Sequence, residues 1–286
     1  MIMNGPVSGM RADPVITSRT NKKVAELVRL RLPRHRARAG AFLIEGYREL
    51  SRAQSRVDLL DLYYCRALWS GRHEAALLAR ARAGGTRLVE LAEEPFRRIS
   101  HRDRPDGLIG VGRIFPAPLN GLPAQHGSLL LVVQGIEKPG NLGAMLRTAC
   151  AAGVDGVIIC DPATDPYGPG VVRASLGHLF TVPLAITDSG SALRWLQQRG
   201  ITIFAGIPDA PDASWDADLT GAAAIAIGSE QRGLSSRWAE VAHPVRIPMS
   251  AGPAGGPDSL NAAVAAGVLL FEAARQRSGI AAPGSG

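Results

Sequence analysis

The clearest pattern of apolar and polar positions lies in the middle of the chain. Residues 128–133 form a short, β-branched apolar run, as a buried strand requires. Pro139 and Gly140 then punctuate the chain. Asn141 is expected to cap a helix on which Leu142, Met145, Leu146 and Ala149 recur at helical spacing. A second apolar run, 156–160, completes a strand–loop–helix–strand unit. Ligands of such sheets bind beyond the carboxyl ends of the strands, here the loop holding Glu137, Gly140 and Asn141, with Arg147 nearly two turns along the helix. Downstream, the pattern predicts a helix over 171–178, a strand over 180–186, a helix capped by Ser189 and running to Arg199, and a strand over 201–205. An acidic loop over 208–219 follows. A buried strand then ends in Gly228-Ser229-Glu230, another covers 245–249, and a long helix runs from Asp258 to Arg277. On that last helix Leu260, Val264, Gly267, Val268 and Phe271 form one stripe among small residues, as a tight core or a dimer interface would use.

The front of the chain reads differently. Residues 1–13 are expected to be disordered. Val24, Leu27, Val28 and Arg31 mark a short basic helix, and Pro33 interrupts the basic segment 29–38. Short elements then alternate: strands at 41–45, 59–65, 87–91 and 108–111, and helices at 47–53, 71–83 and from Glu93. That alternation predicts a small α/β sandwich of roughly 80 residues. The stretch 115–127 is rich in Pro and Gly and breaks both periodicities. The expected organisation is therefore a front unit over 1–113, a linker over 114–127 and a second α/β unit over 128–286.

Composition changes this picture in one respect. At 46% hydrophobic residues over 286 positions the chain is globular. No run approaches the roughly 18 apolar residues of a membrane span, and the amino terminus lacks the apolar core of a secretory signal. Three cysteines without a CxxC pair point to a reducing, cytoplasmic setting, and the six histidines have no metal-ligand spacing, so no metal is expected. Charge, however, is divided. Residues 1–115 carry 22 Lys and Arg against 12 Asp and Glu, whereas 116–286 carry 10 against 13. Between Arg11 and Arg38 there are nine basic residues and two acidic ones. Such a basic half favours a polyanion, and Arg34, Arg36 and Arg38 are its candidate phosphate contacts.

Candidate chemistry lies at three strand ends. The first is NLGAMLRTA with Asn141 and Arg147; the second is IGSEQRGLS with Gly228 and Glu230; the third joins IPM (Ile247 to Met249) to DSLN (Asp258 to Asn261). Glycines flanking a strand end let backbone N–H groups approach a ligand. Arg173 and His178 also fall near the sheet end, and His178 is left outside the site as a lone histidine. Glu45 has no local carboxylate partner, so a structural role is expected for it.

In order and spacing, these three segments resemble the signature motifs of the SpoU/TrmH branch of the SPOUT RNA ribose 2′-O-methyltransferases. The front half is similar to that family's substrate-binding domain, a ribosomal-protein-like α/β sandwich, and carries its FLIEG element as Phe42 to Gly46. Within the family the likeness runs to avilamycin-resistance-type enzymes acting on large-subunit ribosomal RNA, with antibiotic resistance as the implied role. The resemblance implies a trefoil knot in the second domain, a homodimer, S-adenosylmethionine as cofactor and ribosomal RNA as partner. It places Asn141, Arg147, Glu230, Ser259 and Asn261 at the reaction centre. Gly228, Ile247, Met249 and Leu260 would hold the cofactor. The loop AGPAGGP between IPM and DSLN is longer than the family's pattern. A guanidinium is a poor general base, so Arg147 could orient a phosphate beside the target ribose or, as proposed for the family, take its proton. Two other classes fit parts of the chain. A Rossmann NAD-dependent oxidoreductase would use Asp161 for ribose, but GIEKPGNLG lacks G-x-G-x-x-G. A non-enzymatic ribosomal RNA-binding protein would leave the second and third motifs without a role.

Overall fold

The computed structural model describes residues 15–69, 71, 73–123, 127–250 and 257–279. The expected disorder over 1–13 and the body of the long loop, 251–256, lie outside these residues. In the front unit, α1 (Lys22–Arg29) and α2 (Pro33–Ala39) precede β1 (Ala41–Glu45), α3 (Tyr47–Ala53), β2 (Leu59–Tyr64), α4 (Glu74–Ala83), β3 (Arg87–Glu90), α5 (Glu93–Ile99) and β4 (Leu108–Arg113). The strands form a mixed sheet in the order β1-β4-β2-β3, in which only the β2–β3 pair is parallel. Alternation along β1 explains the layering. Phe42 and Ile44 enter one core with Leu50 and Leu77, while Ala41 and Leu43 enter another with Val24, Leu27 and Phe96.

The second unit comprises β5 (Leu129–Gln134), α6 (Pro139–Ala151), β6 (Gly156–Cys160), α7 (Pro169–Ala174), β7 (Leu184–Thr187), α8 (Ser189–Gln198), β8 (Thr202–Gly206), β9 (Asp212–Ala213), β10 (Ala223–Ile227), α9 (Ser236–Ala239), β11 (His243–Arg246) and α10 (Ala262–Arg277). Its seven strands are all parallel, in the order β7-β6-β5-β10-β8-β11-β9. Strands buried on both faces read as continuous apolar runs, as β5, β6 and β10 do. The chain leaves β5 towards β6 and β7, crosses to β8, and returns to set β10 beside β5. That reversal opens the sheet's switch point, where ligands of parallel sheets bind. No helix among the described residues is long and apolar enough to cross a membrane.

Several local expectations are corrected. Pro139 occupies the first helical position, where its fixed φ and missing N–H cost nothing, so α6 begins before Asn141 and Asn141 is not its cap. Asp188, not Ser189, caps α8, accepting from the Ser191 N–H at 2.9 Å. Left-handed φ at Leu176 and Gly177 ends the α7 region and leads into a 3₁₀ turn over His178–Phe180, which delays the next strand to Leu184. The strand expected over 245–249 ends at Arg246, and α10 begins only after Asn261. The stripe Val264, Val268 and Phe271 is 41–52% exposed; α10 packs instead through Ala262, Ala266, Leu269, Leu270 and Ala273.

The two units share one continuous core. Phe42 of β1 stacks obliquely on Tyr167 and Phe180 of the second unit, with ring centroids 5.1 and 6.0 Å apart. Phe115, in the segment between the units, meets the Tyr167 edge at 5.2 Å. Polar ties flank the aromatics: Arg52 donates to the Leu176 carbonyl at 2.7 Å and Arg56 to that of Val182 at 2.9 Å. Arg36 corrects the proposed phosphate cluster. Pro33 starts a helix rather than breaking one, and α2 turns Arg34 and Arg38 to solvent while burying Arg36, which is 2% exposed. Its guanidinium donates to Asp165 at 2.7 and 2.5 Å and to the Leu30 carbonyl at 2.8 Å, so it has no donor face for RNA. Removing it leaves those acceptors without a charged partner. Arg36→Ala is expected to lower unfolding free energy by about 2–3 kcal/mol, read as a reduced urea midpoint; a midpoint equal to that of Arg38→Ala would remove Arg36 from the interface.

Candidate functional site

The carboxyl ends of β8, β10 and β11 and the start of α10 enclose a cavity of about 280 Å³. Its walls are mostly aliphatic, from Ile227, Val245, Ile247, Leu260 and Leu269, together with the partly exposed Met249. Polar groups enter from Ser229, Glu230 and Ser259. Gly228, Ile247, Met249 and Leu260, the expected cofactor residues, all line this space, as do Glu230 and Ser259.

Gly228 sits there for a steric reason. The chain after β10 folds back through a tight turn in which the Gly233 N–H donates to the Ser229 carbonyl at 2.9 Å and the Arg232 N–H to the Ser229 hydroxyl at 3.2 Å. Gly233 takes φ +64°, a conformation glycine adopts without penalty. A side chain at position 228 would overlap the backbone of Gly233 and Leu234. The returning loop therefore lies against the strand end with its peptide groups beside the cavity.

Three residues from three segments join at its mouth, where Glu230 lines the cavity and Asn141 and Asn261, outside the lining, are linked to it. The Asn141 amide donates to the Glu230 carboxylate, and the Asn261 amide donates to the Asn141 carbonyl oxygen at 3.2 Å. Asn261 uses its own oxygen to cap α10, accepting from the N–H groups of Ala263 and Val264 at 3.0 and 3.3 Å. One hydrogen-bonded row thus ties the first turn of α6 to the loop after β10 and to the start of α10. Arg147 is elsewhere: it does not line the cavity, stands exposed on α6, and makes no hydrogen bond or ion pair among the described residues. It is close enough to His178 to act on it. Burial first, then the charges of Arg52 and Arg147, lower the His178 pKa from its ordinary value.

Sequence reasoning missed two parts. Gly206-Ile207-Pro208 contributes a wall directly after β8, and its glycine at a strand end is the same signal that singled out Gly228. It also missed a polar network behind the cavity loop. The Gln134 amide donates to Asp161, Ser189 and Ser235 at 3.0, 2.8 and 3.1 Å, while its oxygen accepts from the Ser235 N–H at 2.8 Å. Trp238 donates to the Ser189 hydroxyl at 3.2 Å. A glutamine closing an apolar strand was the available signal. Burial works to raise the Asp161 carboxyl, but hydrogen bonds from Ser189 and Gln134 outweigh it and leave it below its ordinary range. Asp161, the ribose ligand of the oxidoreductase alternative, is thus committed to its own chain.

Comparison with known proteins agrees with this geometry. Residues 128–271 match the model of the SpoU rRNA Methylase family, and residues 21–110 match an MRM3-like substrate binding domain. The chain is 35% identical to the 23S rRNA (guanosine-2′-O-)-methyltransferase RlmB of Ralstonia nicotianae, over 77% of this chain and 89% of that one. It is 31% identical to the 23S rRNA (uridine(2479)-2′-O)-methyltransferase of Streptomyces viridochromogenes, over 85% of each. The crystal structure of an AdoMet-bound rRNA methyltransferase from Sinorhizobium meliloti superposes with a TM-score of 0.83 at 30% identity, covering 92% of this chain and 98% of that one.

The steric reading of the loop can be checked on stability alone. Gly228→Ala should cost about 1–3 kcal/mol through overpacking against backbone that cannot swing away, whereas Gly221→Ala, with open space at its Cβ, should stay within about 0.5 kcal/mol. Equal thermal midpoints for the two variants would show that the 228–234 contact is not tight.

Proposed function

Because the chain belongs to the SpoU rRNA methylase family, we propose that it is an S-adenosylmethionine-dependent methyltransferase acting on a ribose 2′-hydroxyl of large-subunit ribosomal RNA. The observation that carries this reading is the row Glu230–Asn141–Asn261, which gathers all three motifs at the mouth of one cavity. The cavity suits the cofactor. Its aliphatic walls accept an adenine face, and the loop pressed against Gly228 offers backbone groups to polar edges. When bound, S-adenosylmethionine supplies an electrophilic sulfonium methyl, so the protein's tasks are to align the acceptor and to manage its proton. Glu230 holds the Asn141 amide, and Asn261 holds its oxygen, which fixes the rotamer of Asn141 at the cavity mouth. The Ser259 hydroxyl, on the cavity wall, is placed to orient a ribose hydroxyl. Arg147, exposed and unpaired among the described residues, presents a forked donor set for the phosphate beside the target ribose.

We assign RNA holding chiefly to residues 1–113 and the cofactor to residues 128–286. The family's trefoil knot belongs to the same reading and is supported by the insertion of β10 between β5 and β8. A homodimer is supported by the exposed stripe Val264, Val268 and Phe271. Beside it Gly267 faces Thr148, the neighbour of Arg147, with 3.5 Å between a Cβ built at Gly267 and the Thr148 methyl. Pairing of two such stripes would therefore bring Arg147 to the interface rather than leave it in open solvent. A resistance role in the cytoplasm follows if the methylated nucleotide lies within a drug site of the ribosome. Mapping ribose methylation on ribosomal RNA with and without the protein tests the function directly, and unchanged maps would refute it.

Two variants test the parts. Arg147→Ala should lower methyl transfer by about 100-fold or more while leaving S-adenosylmethionine affinity unchanged by calorimetry; near-normal turnover would take Arg147 out of the reaction. Wild-type protein should sediment at about twice 30.1 kDa, and Phe271→Glu at the monomer mass. A wild-type monomer that still methylates RNA would end the dimer proposal.

A further inference from the structure

The Phe42–Gly46 element lines no part of the cofactor cavity, yet its last two positions organise a distant loop. The Glu45 carboxylate accepts from the Ser100 hydroxyl and from the His101 N–H at 2.8 Å. Arg31, from the basic arm, donates to the carbonyls of Arg98 and Ile99 at 2.9 and 2.5 Å and pulls the end of α5 towards the same place. Arg102 then donates to the Glu45 carbonyl at 2.7 Å and to the Glu49 carboxylate at 2.6 Å. Its guanidinium fills the space a side chain at position 46 would need, since a Cβ built there lies 2.5 Å from Arg102 Nη2. Gly46 moreover takes φ +108°. The loop 100–106 is therefore held on three sides.

What this loop forms is one wall of an open cleft of about 610 Å³ between the two units. Arg104 lines it from the loop, Arg48 from α3 and Arg173 from α7. Each of these three is exposed, and none makes an ion pair or hydrogen bond among the described residues. Among the other charges in the cleft, Arg102 pairs with Glu49, and Asp106 accepts from the Tyr47 N–H at 2.7 Å with one carboxylate oxygen. Asp106 and the exposed Asp103 oppose the three guanidiniums, which outnumber them. Three arginines, unpaired among the described residues and converging from two units, concentrate positive potential in a trough with low-dielectric walls. The positive line also continues. Leu176, on the cleft wall, accepts from Arg52, and His178 two residues later lies within the fields of Arg52 and Arg147.

We propose that this cleft seats the phosphates of the RNA strand flanking the methylation target, with Arg48, Arg104 and Arg173 as its contacts and the Phe42–Gly46 element as its frame. The inference rests on the ribosomal RNA methyltransferase reading. It moves the main RNA contact from α2, where Arg36 is buried, to the seam between the units.

The test compares wild-type protein, R48A/R104A/R173A and R34A/R38A for binding to an unmodified 23S ribosomal RNA transcript across a salt series, with S-adenosylmethionine affinity measured in parallel. The cleft variant should lose about tenfold or more in RNA affinity near 150 mM salt. The magnitude of its log-affinity against log-salt slope should fall by about two to three, from three contacts worth about 0.7–0.9 each. Its S-adenosylmethionine affinity should not change, and R34A/R38A should keep most of the wild-type slope. An unchanged slope in the cleft variant, or a larger loss in R34A/R38A, would overturn the assignment while leaving the enzymatic reading in place. A wild-type protein that binds neither the transcript nor S-adenosylmethionine would overturn both. Should the triple variant melt early, R48Q and R173Q singly carry the same criterion, each with a slope reduced by about one.

Discussion

Everything at the site depends on a single close approach, that of the loop 229–234 onto Gly228 at the end of β10. Because position 228 has no side chain, the loop can return over the strand end and leave its backbone beside the cavity. The approach is supported from behind by Gln134, whose amide and oxygen both engage Ser235, and from the side by Asn141, which holds Glu230. A loop secured at both ends and on one flank loses little entropy when a ligand arrives, which is how a preformed pocket gains affinity without added contacts.

The second constraint is the seam between the two units. A shared aromatic core of Phe42, Tyr167 and Phe180 makes the front unit part of the same packed body as the parallel sheet, rather than an appendage on a flexible linker. The buried Arg36–Asp165 pair adds orientation more than net stability, since desolvating two charges offsets much of their attraction. A packed seam holds Arg48 and Arg104 of the front unit at a constant position relative to Arg173 and Arg147 of the second. Such rigidity fixes the register between groups contributed by the two units.

How far the fold was legible depended on whether a local signal was sufficient. Strands β1, β6 and β10 and helix α3 could be read because apolar period and glycine punctuation agreed within a few residues. Element ends were less legible. Asn141 is a good cap by type, but Pro139 two positions earlier already satisfied the helix start. Ser189 lost the cap of α8 to Asp188 for the same reason, since the caps depend on which residue first leaves helical φ and ψ. The second motif was legible because glycines on both sides of an acidic residue are rarely placed without steric need. Gln134 was not, because nothing near it in sequence shows that Ser235 will stand within reach.

By itself the sequence determined the α/β alternation, the two units, the basic front half and the three strand-end segments from which the site is built. Those features follow from periodicity, charge and turn chemistry, all of which act over a few residues. Only the tertiary structure decided which arginines face water. Arg34, Arg36 and Arg38 are alike in sequence, yet helical geometry turns the middle one inward onto Asp165, 129 positions away. Likewise Arg48, Arg104 and Arg173 stand far apart along the chain, and only the packing of α3, α7 and the 100–106 loop brings them to one cleft. The stripe on α10 could serve as core or as surface; the packing of Ala266 and Leu270 against the sheet settled that it faces outward. Burial is a property of the assembled neighbours, and no window of local sequence contains them.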